Sequence, residues 1–127
     1  MRILVPLDGS DYGKRALAFL STRSTLIGAN PEVHLLNVQP AIAGRAAAQL
    51  GRALTRRIYE GEADAVLAPA RKALARAGIE AEAHADHGHA AERIAAVADD
   101  LKADLILLGA HGYSEFKRLL FGSVTHG

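Results

Sequence analysis

Short apolar runs that each close on a turn, separated by stretches of helical period, leave this chain few ways to fold. Ile3-Leu4-Val5-Pro6-Leu7 ends in Asp8-Gly9-Ser10, and Val33-His34-Leu35-Leu36-Asn37-Val38 forms a second run. Ile79 to Asp86 alternates loosely, and Asp104 to Leu108 is apolar again. Brief apolar runs bounded by turn residues read as strands, and continuous apolar character marks strands covered on both faces. Pro6 lacks a ladder donor, which predicts the end of its strand there. The loose alternation of Ile79 to Asp86 predicts a strand near an edge.

Helical spacing fills the intervals. Ser10 is placed to cap a helix in which Tyr12, Ala16, Leu20 and Ile27 share a face; Gly28 closes it and Pro31 blocks continuation. From Glu62 to Ala77, Val66, Ala70 and Leu74 recur every fourth residue, with Pro69 expected to kink the helix or mark a restart, and Gly78 to end it. Ile94, Val97, Ala98 and Leu101 follow the i, i+3, i+4, i+7 pattern of a buried face. Residues 40–61, punctuated by Gly44, Gly51 and Gly61, are expected to be a flexible loop with marginal helix. The order β-α-β-α-β-α-β predicts an α/β domain over 1–127. It is a three-layer open parallel sheet with helices on both faces and right-handed crossovers.

Ligands of such sheets collect at the carboxyl ends of the strands, where strand order reverses. Asp8, Val38 and Gly109 all stand at carboxyl ends. Gly109-Ala110-His111-Gly112 is followed, after nine residues, by Gly122-Ser123. Glycines at a strand end let the backbone turn tightly and bring its N–H groups to a ligand, and a later Gly-Ser adds donors at a helix start. The spacing suits a polyphosphate, whereas Gly109-Ala110-His111-Gly112 alone reads sooner as a structural turn into a helix. His111 in that turn faces either phosphate or solvent.

Composition limits the alternatives. The 127 residues carry 15 basic and 14 acidic side chains, so the net charge of +1 gives no general pull toward nucleic acid or membrane. With no cysteine there is neither a disulfide framework nor a thiolate metal site. No apolar stretch approaches the roughly 18 residues of a membrane span, and the N-terminus lacks the apolar region of a signal peptide. A cytoplasmic location is expected. His84, His87 and His89 straddle a strand end and a glycine turn, so their rings need not converge, and solvated loop histidines are expected rather than a metal site. Arg45, Arg52, Arg56 and Arg57 read as a solvated, mobile segment, or as a flap that folds over a nucleotide or meets an acidic partner; Lys117 and Arg118 read as surface charges rather than phosphate clamps. Walker and Gly-x-Gly-x-x-Gly signatures are absent.

Ile-Leu-Val-Pro-Leu-Asp-Gly-Ser at the start, Ala103-Asp104-Leu105-Ile106-Leu107-Leu108-Gly109, and Gly-x2-Gly-x9-Gly-Ser together resemble the universal stress protein family, in the branch that binds ATP. The resemblance implies a Rossmann-like fold of the adenine nucleotide alpha hydrolase type and an adenine nucleotide, ATP with Mg²⁺, as ligand. It further implies a homodimer and at most slow hydrolysis. It implies that Gly109, Gly112, Gly122 and Ser123 contact phosphates and ribose. Pro6, Leu7 and Asp8 line the first turn, with Asp8 near the ribose or a phosphate-bound Mg²⁺. Val38 lies against the adenine, and Leu108, His111 and Val124 complete the contact set. No metal ligand from the protein is otherwise expected.

The family continues past Gly-Ser into a full helix and a fifth strand that commonly forms the dimer contact. Here four residues follow Ser123, so four strands of an expected five are present. Three functions stay open: a nucleotide-dependent switch, an interaction module with a vestigial site, and a slow ATPase.

Overall fold

The computed structural model describes residues 1–22 and 31–108. Ile27, Gly28 and everything from Gly109 onward, including His111, Gly112, Lys117, Arg118, Gly122, Ser123 and Val124, lie outside the described residues, as does the Tyr12 side chain. Four strands, β1 (Arg2–Pro6), β2 (Glu32–Gln39), β3 (Ala81–His87) and β4 (Leu105–Ile106), pair in parallel in the order β3-β2-β1-β4. Ile3 stands opposite Val33 and Leu105, and Leu36 opposite His84. β1 ends at Pro6 and β3 takes one edge, as the sequence predicts. β4 is shorter than Asp104–Leu108, but its pairing reaches beyond its ends. Asp104 N–H donates to Arg2 O at 2.8 Å and Leu107 N–H to Leu4 O at 2.9 Å.

Alternation along the strands sends side chains to two cores. Ile3, Val5, Val33 and Leu35 pack against Ala16 and Leu20 of α1 (Asp11–Thr22) and against Ala63, Leu67, Ala70 and Leu74 of α3 (Arg52–Arg76). Leu4, Leu36, Val38 and Ile106 pack on the other face against Ile94 and Ala98 of α4 (Ala90–Leu101). The three layers are therefore α1 and α3, the sheet, and α4. Both faces are apolar because neither meets water.

The expected loop over 40–61 is largely helical. α2 spans Gly44–Leu50, and α3 starts at Arg52. Gly51, at φ +82°, separates them with a backbone conformation that other residues rarely adopt. Ala, Arg, Leu and Gln are strong helix formers, and the glycines outweighed them only in a local reading. Gly61 is exposed with open space around it, so a helix passes through it at modest cost.

Pro69 does not restart α3; one helix runs through it. Its ring faces solvent, while Ala63, Leu67, Ala70 and Leu74 hold the opposite face on the sheet from both sides of it. Packing outweighs the lost backbone bond. Gly78 does end the helix. At φ +80° it donates to Ala75 O at 3.0 Å while Ile79 N–H returns to Leu74 O at 2.9 Å, a Schellman closure.

Candidate functional site at the carboxyl ends of the strands

The chain leaves β1 through α1 to reach β2 on one side, whereas β4 pairs with β1 on the other side after crossing through α4 on the opposite face. Strand order thus reverses between β1 and β4. Two segments open into that crevice: residues 7–10 after β1, and Leu107-Leu108 after β4. The sheet cannot fill the crevice, because the connections on either side diverge from it.

The first turn is held by β2. Leu7 N–H donates to Leu36 O at 2.8 Å, and Asn37 Nδ2 donates to Leu7 O at 2.8 Å. Asn37 is only 1% exposed; its own Oδ1 accepts from Gln39 Nε2. Beyond this clamp the backbone turns at Gly9, with φ +85°, where a Cβ would come within 3.3 Å of Val66 Cγ2. Asp8 is exposed, and its Oδ1 accepts the Ser10 N–H at 2.9 Å. That bond sets the turn and leaves the carboxylate at the mouth of the crevice.

The expected Ser10 cap is not made. Its Oγ is buried without a partner among the described residues, while the Gly13 N–H donates to the Ser10 backbone carbonyl at 3.2 Å. A groove of about 320 Å³ runs beside it between α1 and α3, lined mainly by Leu7, Leu17, Val66 and Ala70.

Of the predicted contact residues, Pro6 and Leu7 are buried beneath the crevice floor and Asp8 stands at its edge. The Val38 side chain packs into the core under α4, so what Val38 offers the crevice is backbone. Leu108 is half-buried against the same core at the exit of β4. Asn37 was not legible as a site residue, since a polar residue in an apolar strand carries no signal of the carbonyl it will meet. On the rim, the Tyr59 ring of α3 stacks on His87 at 4.5 Å between centroids, and its hydroxyl accepts the Ile42 N–H at 2.8 Å. Arg45, Arg52, Arg56 and Arg57 are all exposed.

The three histidines of His84-x2-His87-x-His89 disperse: His87 stacks on Tyr59, and His89 precedes α4. His84 instead meets His34 of β2, with His34 Nδ1 and His84 Nε2 2.9 Å apart. This pair lies toward the amino ends of β2 and β3, away from the crevice. Burial, then the neighbouring His34, holds the His84 imidazole below its ordinary pKa. Glu32, bonded to the Arg2 guanidinium at 2.7 Å, is held below the usual carboxylate range chiefly by that bond.

Among the described residues no helix is long and apolar enough to cross a membrane. The Universal stress protein family matches over residues 1–127. Universal stress protein Slr1230 from Synechocystis sp. is 32% identical over 124 residues, 98% of this chain, which spans only 37% of that relative's length. Among solved structures, the protein MJ0577 is similar with a TM-score of 0.73 at 25% identity, covering 98% of this chain and 88% of that one. A universal stress protein in complex with cAMP gives a TM-score of 0.67 at 24% identity, covering 98% and 86%. A family protein from Arabidopsis thaliana with AMP bound gives a TM-score of 0.70 at 15% identity, again covering 98% and 86%. The last two likenesses speak to the fold. With a family match over its whole length and a relative at this identity, the chain belongs to the universal stress protein family.

Proposed function

We propose that residues 1–127 form a single cytoplasmic stress-response domain that binds an adenine nucleotide, ATP with Mg²⁺, in the crevice between β1 and β4. The bound nucleotide acts as a switch on an interaction surface, with little or no hydrolysis. The observation that carries this reading is the reversal of strand order at β1 and β4, which brings the Asp8 turn and the entry to the glycine motif to one crevice. Adenine nucleotides in two structures of similar fold, one with cAMP and one with AMP, support the ligand class.

Asp8 suits a contact with the ribose or a phosphate-bound Mg²⁺: it is an exposed carboxylate at the exit of β1, oriented by the Ser10 N–H. Pro6 and Leu7 lie beneath the floor, to which Val38 contributes its backbone and Leu108 its half-buried side chain. Gly109, His111, Gly112, Gly122, Ser123 and Val124 supply the phosphate side. Fast phosphoryl transfer requires a positioned base and charge-neutralising cations around the γ-phosphate, and Asp8 with Mg²⁺ supplies only part of that. The assembly is a homodimer, as the family resemblance implies.

Isothermal titration of ATP with Mg²⁺, beside ADP, AMP and cAMP, tests the reading. One site per chain is expected, lost in Gly122→Arg. Preference for AMP or cAMP would keep the adenine site but remove ATP as its ligand. No binding of any of the four would leave the interaction module with a vestigial site as the function.

A further inference from the structure

The geometry points to a divalent-metal site, suited to Zn²⁺, formed by His34 Nδ1, His84 Nε2 and the Glu82 carboxylate at the β2–β3 edge. These three donor groups lie within 4.8 Å of one another. His34 and Glu82 are register partners on adjacent strands, and His84 is two residues beyond Glu82, so parallel pairing sends all three side chains to the same face of the sheet.

The distances suit a tetrahedral ion. With Zn–N near 2.05 Å, two ligand nitrogens stand about 3.3 Å apart. Here they are 2.9 Å apart, and Glu82 Oε2 is 3.6 Å from His34 Nδ1. A small rotation of His84, which is only half-buried, opens the pair by the few tenths of an ångström required. Two nitrogens and one carboxylate leave a fourth position, and His34 and Glu82 both line a groove of about 680 Å³ at the amino ends of β2 and β3. A solvent molecule would complete the coordination. Imidazole and carboxylate together favour Zn²⁺ over the hard cations, which prefer all-oxygen sites.

A second observation supports the site. Ligating histidines usually present their far ring nitrogen to a carboxylate, which fixes ring and tautomer. The far nitrogen of His34, Nε2, faces Glu32 Oε1 at 3.4 Å, and Glu32 is itself anchored by Arg2 at 2.7 Å. His34 is 4% exposed, so its ring is held in place by the surrounding core. Without metal, one proton lies between the two facing nitrogens. Metal binding needs both lone pairs, so that proton moves to the far nitrogen of its own ring. On His34 that nitrogen already has Glu32 as acceptor. The ion would tie the edge strand to β2 at the end of the sheet remote from the nucleotide crevice, and the inference is independent of nucleotide binding.

Titration of Zn²⁺ alone into the untagged, chelator-treated, nucleotide-free chain tests it, with Co²⁺ as a spectroscopic stand-in. Expected are one equivalent per chain, the visible bands of four-coordinate Co²⁺, and a higher melting temperature with Zn²⁺. His84→Ala and Glu82→Gln alter exposed or half-exposed side chains and should each lower affinity by more than about 100-fold, while Glu32→Gln should lower it by about 10- to 100-fold. The His87→Ala/His89→Ala double variant should bind as the parent does. Absence of a stoichiometric site overturns the inference. So does Zn²⁺ binding that survives His84→Ala and Glu82→Gln in chains that still melt cooperatively, or that is lost in the His87/His89 variant.

Discussion

Asn37 illustrates how one buried polar side chain positions a loop it does not belong to. Its amide bridges the end of β2 to the Leu7 carbonyl, so the Asp8 turn takes its place from β2 as much as from β1. Asn37→Leu keeps the branched outline of the side chain and removes the bond. It should destabilise the fold by about 1–3 kcal/mol in urea unfolding and weaken nucleotide binding in the same preparation. Ser10 gives the contrasting case. A hydroxyl that capped α1 would cost about 0.5–2 kcal/mol when removed. Since Oγ is buried without a partner among the described residues, Ser10→Ala should instead leave stability unchanged or raise it by about 1 kcal/mol, read from the urea midpoint.

Two helices carry local choices that their packing overrides. Pro69 stands in the middle of α3 on its solvent face, where a backbone donor is lost and no core contact is gained. Pro69→Ala should restore the donor and stabilise the chain by about 1–3 kcal/mol, with a matching rise in helical circular dichroism. At the end of α4, Lys102 takes the left-handed conformation, φ 54°, while Ala103 N–H returns to Ala98 O at 2.9 Å. Glycine is the residue this closure favours. Lys102→Gly should therefore raise stability by about 0.5–1 kcal/mol in chemical unfolding, without touching either core.

At the scale of the molecule, two ends of one sheet carry different chemistry. The carboxyl ends open a crevice where strand order reverses; the amino ends of β2 and β3 gather His34, Glu82, His84 and Glu32. A ligand that binds only the folded chain stabilises it by mass action. Nucleotide at about 100 times its dissociation constant should add about 2.7 kcal/mol to the unfolding free energy. Thermal melts across a concentration series check this, and a melting temperature indifferent to nucleotide would contradict the proposed function.

Patterns with a short period were readable without coordinates. The apolar runs at Ile3–Leu7 and Val33–Val38 had to be strands covered on both faces. Alternation with helical segments then required parallel pairing, because parallel strands need crossovers. The end of β1 at Pro6, the edge position of β3 and the closure at Gly78 follow from the same local chemistry. The helices over 44–61 and the passage of α3 through Pro69 did not, because each depends on a face buried by contacts distant in sequence. Asn37 with Leu7, and His34 with His84, are separated by 30 and 50 residues and meet only through strand register. Sequence alone determined the period of each segment and hence the fold. Only the tertiary structure decided which polar groups share a strand pair, since hydrogen bonding and ligation act over distances that register sets and sequence separation does not.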